Sequence, residues 1–189
     1  MRQNIVIFAS GSGSNAQRIF EYFQTSDTIN VASIYCNNPN AFVIERAKKM
    51  NIPCRVFSKA ELQNGIILSE LRLLNPSLIV LAGFLCLVPK EIIHAFPHKI
   101  INIHPALLPK YGGKGMYGAK VHQIVIENQE KESGITIHFV NEKYDEGDVI
   151  FQAQCEISKN DTQETLADKI HQLEYTHFPK VIERLLKEM

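Results

Sequence analysis

Short apolar segments alternate with longer stretches of helical periodicity along the first hundred residues. The apolar runs cover residues 5–9, 31–36, 78–82 and 99–102, with a briefer one at 55–57. The run at 78–82 is apolar at every position, as expected for a strand that helices cover on both faces. This alternation predicts repeated strand and helix units around a parallel sheet.

The stretches between these strands predict helices at residues 16–23, 42–50, 59–74 and 89–95. Ser58 is expected to cap the third helix, with Glu61 in its first turn. Beyond residue 105 the pattern predicts a glycine-rich loop at 112–118, a helix at 119–127 and an antiparallel strand pair at 134–140 and 148–157. A closing helix runs from residue 162 towards 189, with an expected interruption near Pro179.

These elements predict an α/β fold of the Rossmann-like kind. We expect one domain spanning residues 1–189, with a mostly parallel central sheet, an antiparallel edge and helices on both faces.

Composition and charge limit the kinds of partner that this protein is expected to bind. The chain has 189 residues, 45% of them hydrophobic, and its 20 Lys and Arg balance its 20 Asp and Glu. Without a broad positive field, nucleic acid and anionic membranes are not expected partners. No apolar run approaches the roughly 18 residues that span a bilayer, and the first residues do not resemble a signal peptide. We therefore expect a cytoplasmic protein that acts on small molecules.

The four cysteines are widely separated and have no metal-ligand spacing. We therefore expect neither a zinc site nor a disulfide framework, and no metal is predicted.

A glycine-rich turn follows the first predicted strand: Ser10-Gly11-Ser12-Gly13-Ser14-Asn15. Glycines permit a tight turn and close approach of a ligand, and the N–H groups at the start of the next helix attract an anion. The segment also fits a permissive dinucleotide fingerprint, but that fingerprint expects an acidic residue after the second strand, where this chain has Asn37 and Asn38. A single phosphate ester is therefore favoured over a nicotinamide cofactor.

The predicted strand near residue 102 ends in Ile101-Asn102-Ile103-His104-Pro105. Because side chains alternate along a strand, Asn102 and His104 are expected on one face, at the same sheet edge as the glycine-rich turn. An amide can hold a developing oxyanion, and an imidazole can transfer a proton near neutral pH. The pair therefore suggests acyl transfer.

An acidic loop connects the last two predicted strands. A carboxylate from this loop beside His104 would favour the charged imidazole and raise its pKa. Spacing alone does not choose among the four candidates, which are Glu142, Asp145, Glu146 and Asp148.

Four segments together resemble the folate-dependent formyltransferases. They are the glycine-rich turn, Leu81-Ala82-Gly83-Phe84, Asn102-Ile103-His104-Pro105-Ala106-Leu107-Leu108-Pro109, and a stretch combining Asp145, Gly147, Val149, Ile150 and Gln152. The resemblance covers nearly the whole chain. It implies transfer of a formyl group from 10-formyltetrahydrofolate to the amine of glycinamide ribonucleotide in purine biosynthesis, without a metal.

The same resemblance implies roles for particular residues. Asn102, His104 and Asp145 would be catalytic, and Gly13, Ser14 and Asn15 would hold the substrate phosphate. Glu174 matches a family glutamate near the glycinamide end of that substrate. The pterin would lie against a loop from Val140 to Asp145 and against Leu85, Cys86, Leu87 and Val88, where Cys86 replaces an arginine of many family members.

Other functions remain open from the sequence. A deformylase or an amino-sugar formyltransferase would use the same donor with another acceptor. A noncatalytic nucleotide-sensing module would make no use of Asn102 and His104. The sequence defines neither an oligomeric state nor whether residues 112–118 form a lid or a simple connection.

Overall fold

A computed structural model describes residues 2–189, which form one seven-stranded sheet flanked by helices. The strands are β1 (Gln3–Ala9), β2 (Ile29–Cys36), β3 (Cys54–Val56), β4 (Leu78–Leu81), β5 (Ile100–His104), β6 (Glu132–Phe139) and β7 (Val149–Glu156). The helices are α1 (Ser14–Phe23), α2 (Val43–Lys49), α3 (Lys59–Gln63), α4 (Ile66–Leu74), α5 (Lys90–Ala95), α6 (Ala119–Glu127) and α7 (Gln163–Glu188). Within this described range, no helix has the length and apolar character needed to cross a membrane.

The strand order in the sheet is β3-β2-β1-β4-β5-β6-β7. The first five strands in this order are parallel, whereas β6 runs antiparallel to β5 and β7 antiparallel to β6. This confirms the predicted α/β class, the mostly parallel sheet and its antiparallel edge. The chain changes direction across the sheet between β1 and β4, and such a switch point opens a crevice at the carboxyl ends of the strands.

Alternate residues of β1 enter separate apolar layers on the two faces of the sheet. Ile5 and Ile7 pack with residues of α1, α2, α6 and α7, whereas Val6 and Phe8 pack with residues of α3, α4 and α5. Both faces of β1 are therefore buried, which explains the unbroken apolar run from Ile5 to Ala9.

Two details of the helix prediction are wrong. The helix expected at residues 59–74 is two helices, because Gly65 adopts a φ of 86° between α3 and α4. The closing helix continues through Pro179, since Phe178 and Ile182 beside it are buried on the sheet. That packing offsets the hydrogen bond that proline cannot donate. The cap at Ser58 is confirmed: its Oγ accepts from the Glu61 N–H at 3.2 Å.

Candidate active site

A cavity of about 540 Å³ opens at the carboxyl ends of the central strands. It brings together predicted residues from five separate parts of the chain, because the sheet edge collects the loops that follow β1, β4 and β5. The predicted residues that line it are Gly13, Ser14, Asn15, Leu85, Asn102, His104, Asp145 and Glu174.

The glycine-rich turn forms one end of this cavity. Gly13 has a φ of 74° and immediately precedes α1. A Cβ atom at Gly13 would lie 2.4 Å from Cγ2 of Val43, so this position excludes larger residues on two grounds. The first N–H groups of α1 lack partners within the helix, so this end of the helix favours binding of an anion.

Glu174 of α7 lies beside this turn. Its Oε2 accepts a hydrogen bond from Nδ2 of Asn15 at 2.9 Å. Burial raises the pKa of the Glu174 carboxyl, while the Asn15 amide and the nearby His171 act in the opposite direction.

Asp145 connects the two polar residues of β5. Its Oδ2 lies 3.5 Å from Nδ1 of His104, and its Oδ1 lies 3.4 Å from Nδ2 of Asn102. The Gly113 N–H donates to Oδ2 at 2.9 Å. Asp145 itself has a φ of 56°, an uncommon backbone conformation that occurs at functional sites. Asn102 and His104 therefore share one face of β5 and one carboxylate.

The structure thus separates Asp145 from the other acidic candidates. Three of the four are exposed: Glu142, Glu146 and Asp148. The first pairs with His94 at 2.8 Å and the second with Lys143 at 2.9 Å, both at the surface. Spacing does not distinguish these residues because all four belong to the same stretch of sequence. The family resemblance singles out Asp145, and that is the one that contacts Asn102 and His104.

The pKa of His104 is lowered, opposite to the expected direction. Burial is the dominant cause, since the side chain is only 4% exposed. Asp145 does raise the pKa as expected, and so does the Tyr111 carbonyl, which accepts from Nε2 at 2.7 Å. Their combined effect is smaller than the loss of hydration. The two flanking acceptors nevertheless orient the ring as a protonated imidazole requires.

The pKa of Asp145 is also lowered. Burial alone would raise it, but the hydrogen bond with His138, the charge of His104 and the Gly113 N–H together outweigh burial. The carboxyl therefore stays ionised under ordinary conditions and continues to favour a charged His104.

His138 of β6 is a site residue that sequence reasoning missed. It pairs directly across from Asn102 in the sheet, and its Nε2 lies 3.1 Å from Nδ2 of that residue. Nδ1 donates to the Phe139 carbonyl at 2.8 Å, and Nε2 lies beside both the Asn102 amide and Oδ1 of Asp145, which is 3.6 Å away. Polar residues at 136 and 138 within an apolar strand were a visible signal. Only the strand register places His138 across from Asn102 and Thr136 across from His104.

The motif around Asp145 has a structural basis. A Cβ atom at Gly147 would lie 1.7 Å from the Phe139 carbonyl oxygen, so the loop that carries Asp145 closes against β6 only with glycine there. Gln152 of β7 donates to the Leu108 carbonyl at 3.0 Å, which anchors the segment that follows His104.

The residues predicted to receive the pterin are divided between surface and core. Leu85 and Leu87 are 46% and 42% exposed, so both side chains present apolar surface. Cys86 is half-buried, and Val88 is buried in an apolar layer, so the Val88 side chain does not present a surface to a ligand. Val140 lines a second cavity of about 300 Å³.

Metal ligation is a separate question. Among residues 2–189, His, Cys, Asp and Glu side chains nowhere form a group of three arranged to hold a metal ion.

Comparison with known proteins shows the same family throughout. The model of the formyl transferase family matches residues 3–182. A chloroplastic phosphoribosylglycinamide formyltransferase of Arabidopsis thaliana is 40% identical over 99% of this chain, which spans 66% of that protein's length. The phosphoribosylglycinamide formyltransferase of Bacillus subtilis is 37% identical, with 97% of this chain and 95% of that protein covered.

Solved structures agree with the sequence relatives. Glycinamide ribonucleotide transformylase 1 of Geobacillus kaustophilus superposes with a TM-score of 0.89 at 35% identity, covering 98% of this chain and all of that one. The phosphoribosylglycinamide formyltransferase of Anaplasma phagocytophilum gives 0.90 at 29% identity, covering all of this chain and 88% of that one. The resemblance seen in the four sequence motifs is confirmed, and the chain belongs to the formyl transferase family.

Proposed function

We propose that this protein transfers a formyl group from 10-formyltetrahydrofolate to the amine of glycinamide ribonucleotide, a step of purine biosynthesis. One observation carries the proposal: the Asp145 carboxylate joins Asn102 and His104 in the cavity that also contains the glycine-rich turn. The names of the relatives support this activity over a deformylase or an amino-sugar formyltransferase. The cytoplasmic location and the single domain over residues 1–189 remain predictions.

The acceptor phosphate would bind at the turn formed by Gly13, Ser14 and Asn15. Backbone N–H groups at the start of α1 supply donors and a partial positive charge for an acceptor-only ligand. Glu174, held by Asn15, would face the acceptor between its phosphate and the reacting amine.

The formyl donor would approach from the other side of Asp145. The exposed leucines, Leu85 and Leu87, offer apolar area to a pterin ring, and the backbone of Cys86 and Val88 continues the same edge. Val140 opens the second cavity next to the Asp145 loop. The proposed acceptor site and the proposed folate site then meet at Asn102 and His104.

The chemistry at this meeting point follows from the three side chains. The amine forms a C–N bond to the formyl carbon and gives a tetrahedral intermediate whose oxygen carries negative charge. The carbonyl re-forms as the bond from that carbon to the folate nitrogen breaks. Asn102 Nδ2 lies 3.4 Å from Oδ1 of Asp145, so this hydrogen bond is weak and the N–H is available to the oxyanion when that oxygen enters the cavity. Negative charge beside His104 opposes the effect of burial, so the imidazole takes up a proton as the oxyanion develops.

Asp145 completes the proton transfers. Its carboxylate stabilises charged His104, and with a water molecule it relays to the imidazole the proton that the amine loses on forming the new bond. The departing folate nitrogen takes a proton from the imidazole. His138 is a positioning residue in this scheme, since it holds the Asn102 amide.

The test is formyl transfer by the purified protein. Incubation with 10-formyltetrahydrofolate and glycinamide ribonucleotide should give a product heavier by one formyl group, identified by mass spectrometry. Donor supplied alone should release little formate, which excludes a deformylase. An amino-sugar nucleotide should not be formylated. Absence of the formylated ribonucleotide would refute the proposal.

Two variants of one loop sharpen this test. Asp145→Asn should lower kcat by about a hundredfold or more, because it removes the carboxylate that relays the proton and the charge that stabilises protonated His104. Glu146→Gln makes the same chemical change at an exposed neighbour paired only with Lys143, and it should leave transfer near the wild-type rate. Equal rates for the two variants would contradict the role given to Asp145.

A further inference from the structure

His122 is a buried histidine to which the proposed reaction gives no role. It lies in the first turns of α6, is 4% exposed and lines the large cavity. Within residues 2–189, its Nδ1 is the one fully buried side-chain nitrogen or oxygen that lacks a hydrogen-bond partner. His104 and His138, which are equally buried, each have hydrogen-bond partners. A buried polar atom without a partner is costly, and its persistence calls for an explanation.

His122 lies between the two ends of the proposed acceptor site, which are the glycine-rich turn and the reaction centre at His104. Asn15 in the glycine-rich turn contacts Glu174, and His171 is one helical turn before Glu174 in α7. Both His171 and His104 lie close enough to His122 to lower its pKa through charge, in addition to burial. This sequence of neighbours leads from the phosphate end of the cavity to the reaction centre, with His122 in the middle.

The protonation state of His122 defines what it can bind. Burial is the main reason that its pKa is lowered to about 4, so the ring is neutral near pH 7. A neutral imidazole has one N–H donor and one acceptor nitrogen. Phosphate offers only hydrogen-bond acceptors and already has a proposed binding site at the glycine-rich turn. A hydroxyl group both donates and accepts, so it can use both ring nitrogens of a neutral imidazole.

We propose that His122 hydrogen-bonds a ribose hydroxyl group of the acceptor substrate. This inference rests on the proposed function, because glycinamide ribonucleotide contains a ribose between its phosphate and its reacting amine. His122 then acts as a specificity-determining residue that distinguishes a ribosyl acceptor from one without that hydroxyl group. The bond also supplies the partner that the buried ring lacks.

The test compares variants and substrates in pairs. His122→Leu removes both ring nitrogens, His122→Gln retains a donor and an acceptor, and His177→Leu repeats the first change on α7 outside the cavity. Each protein is titrated by calorimetry with glycinamide ribonucleotide and with its 2′-deoxy and 3′-deoxy analogues. The same ligands are then used to measure kcat/KM.

We expect His122→Leu to weaken binding of glycinamide ribonucleotide about tenfold, the usual effect of losing one neutral hydrogen bond. The loss should disappear with the analogue that lacks the bonded hydroxyl group, His122→Gln should recover part of it, and His177→Leu should bind normally. An equal loss with all three ligands would indicate a structural role and overturn the inference, as would no loss at all. If His122→Leu does not fold, the ligand dependence of His122→Gln decides the question.

The two proposals fail separately in this design. Normal formyl transfer by the wild-type protein, with binding that is insensitive to position 122, would overturn only the ribose contact. Binding that depends on both His122 and the hydroxyl group, without formyl transfer, would overturn only the proposed function.

Discussion

Replacement of Gly13 by alanine tests whether the glycine-rich turn depends on glycine for two independent reasons. The φ of 74° disfavours a side chain by about 1 to 2 kcal/mol. The new Cβ would also lie 2.4 Å from Cγ2, 2.6 Å from Cβ and 2.9 Å from Cα of Val43. Because a backbone atom is among these neighbours, the overlap cannot be relieved by a rotamer change and adds about 1 to 3 kcal/mol. Gly13→Ala should therefore lower the free energy of unfolding by about 2 to 5 kcal/mol.

Two other glycines separate these contributions. Gly65 has a φ of 86°, but no atom lies within 4 Å of the position that a Cβ would take there. Gly65→Ala therefore measures backbone strain alone, about 1 to 2 kcal/mol. Gly11 has neither a positive φ nor a close neighbour, so Gly11→Ala should stay within about 0.5 kcal/mol of the wild type. The assay is urea unfolding followed by circular dichroism. A loss for Gly13→Ala no larger than that for Gly65→Ala would refute the steric part of the reasoning.

Further predictions concern pH and the Asp145 loop. Because the pKa of His122 is about 4 in the folded protein and about 6.5 when exposed, the unfolded chain binds this proton first as pH falls from 6.5 to 4. Stability from this group is fully present above pH 6.5 and decreases by roughly 3 kcal/mol across that window. His122→Gln should show a correspondingly smaller loss between urea unfolding curves at pH 7.5 and 4.5; parallel losses would contradict the pKa assignment. Gly147→Ala should displace the loop from the Phe139 carbonyl and reduce formyl transfer at least tenfold, and wild-type kinetics would contradict that packing.

The direction of the His104 pKa illustrates how local and tertiary effects compete. Sequence reasoning correctly expected a nearby carboxylate to raise it, but did not include the loss of hydration at a strand end enclosed by the Tyr111 and Asp145 loops. Burial depends on how completely those loops close over the imidazole. That enclosure is a property of the assembled fold, and no local pattern reports it.

Sequence patterns alone determined the strand and helix alternation, the glycine-rich turn before α1 and the position of Asn102 and His104 on one face. Each of these follows from local rules: side-chain periodicity, glycine conformations and the order of elements. The tertiary structure decided what distant segments do together. It selected Asp145 among four nearby acidic residues, placed His138 across from Asn102 by strand register, and left His122 buried without a partner. The physical reason is that contact and burial depend on which loops meet at the sheet edge, whereas periodicity depends only on neighbours along the chain.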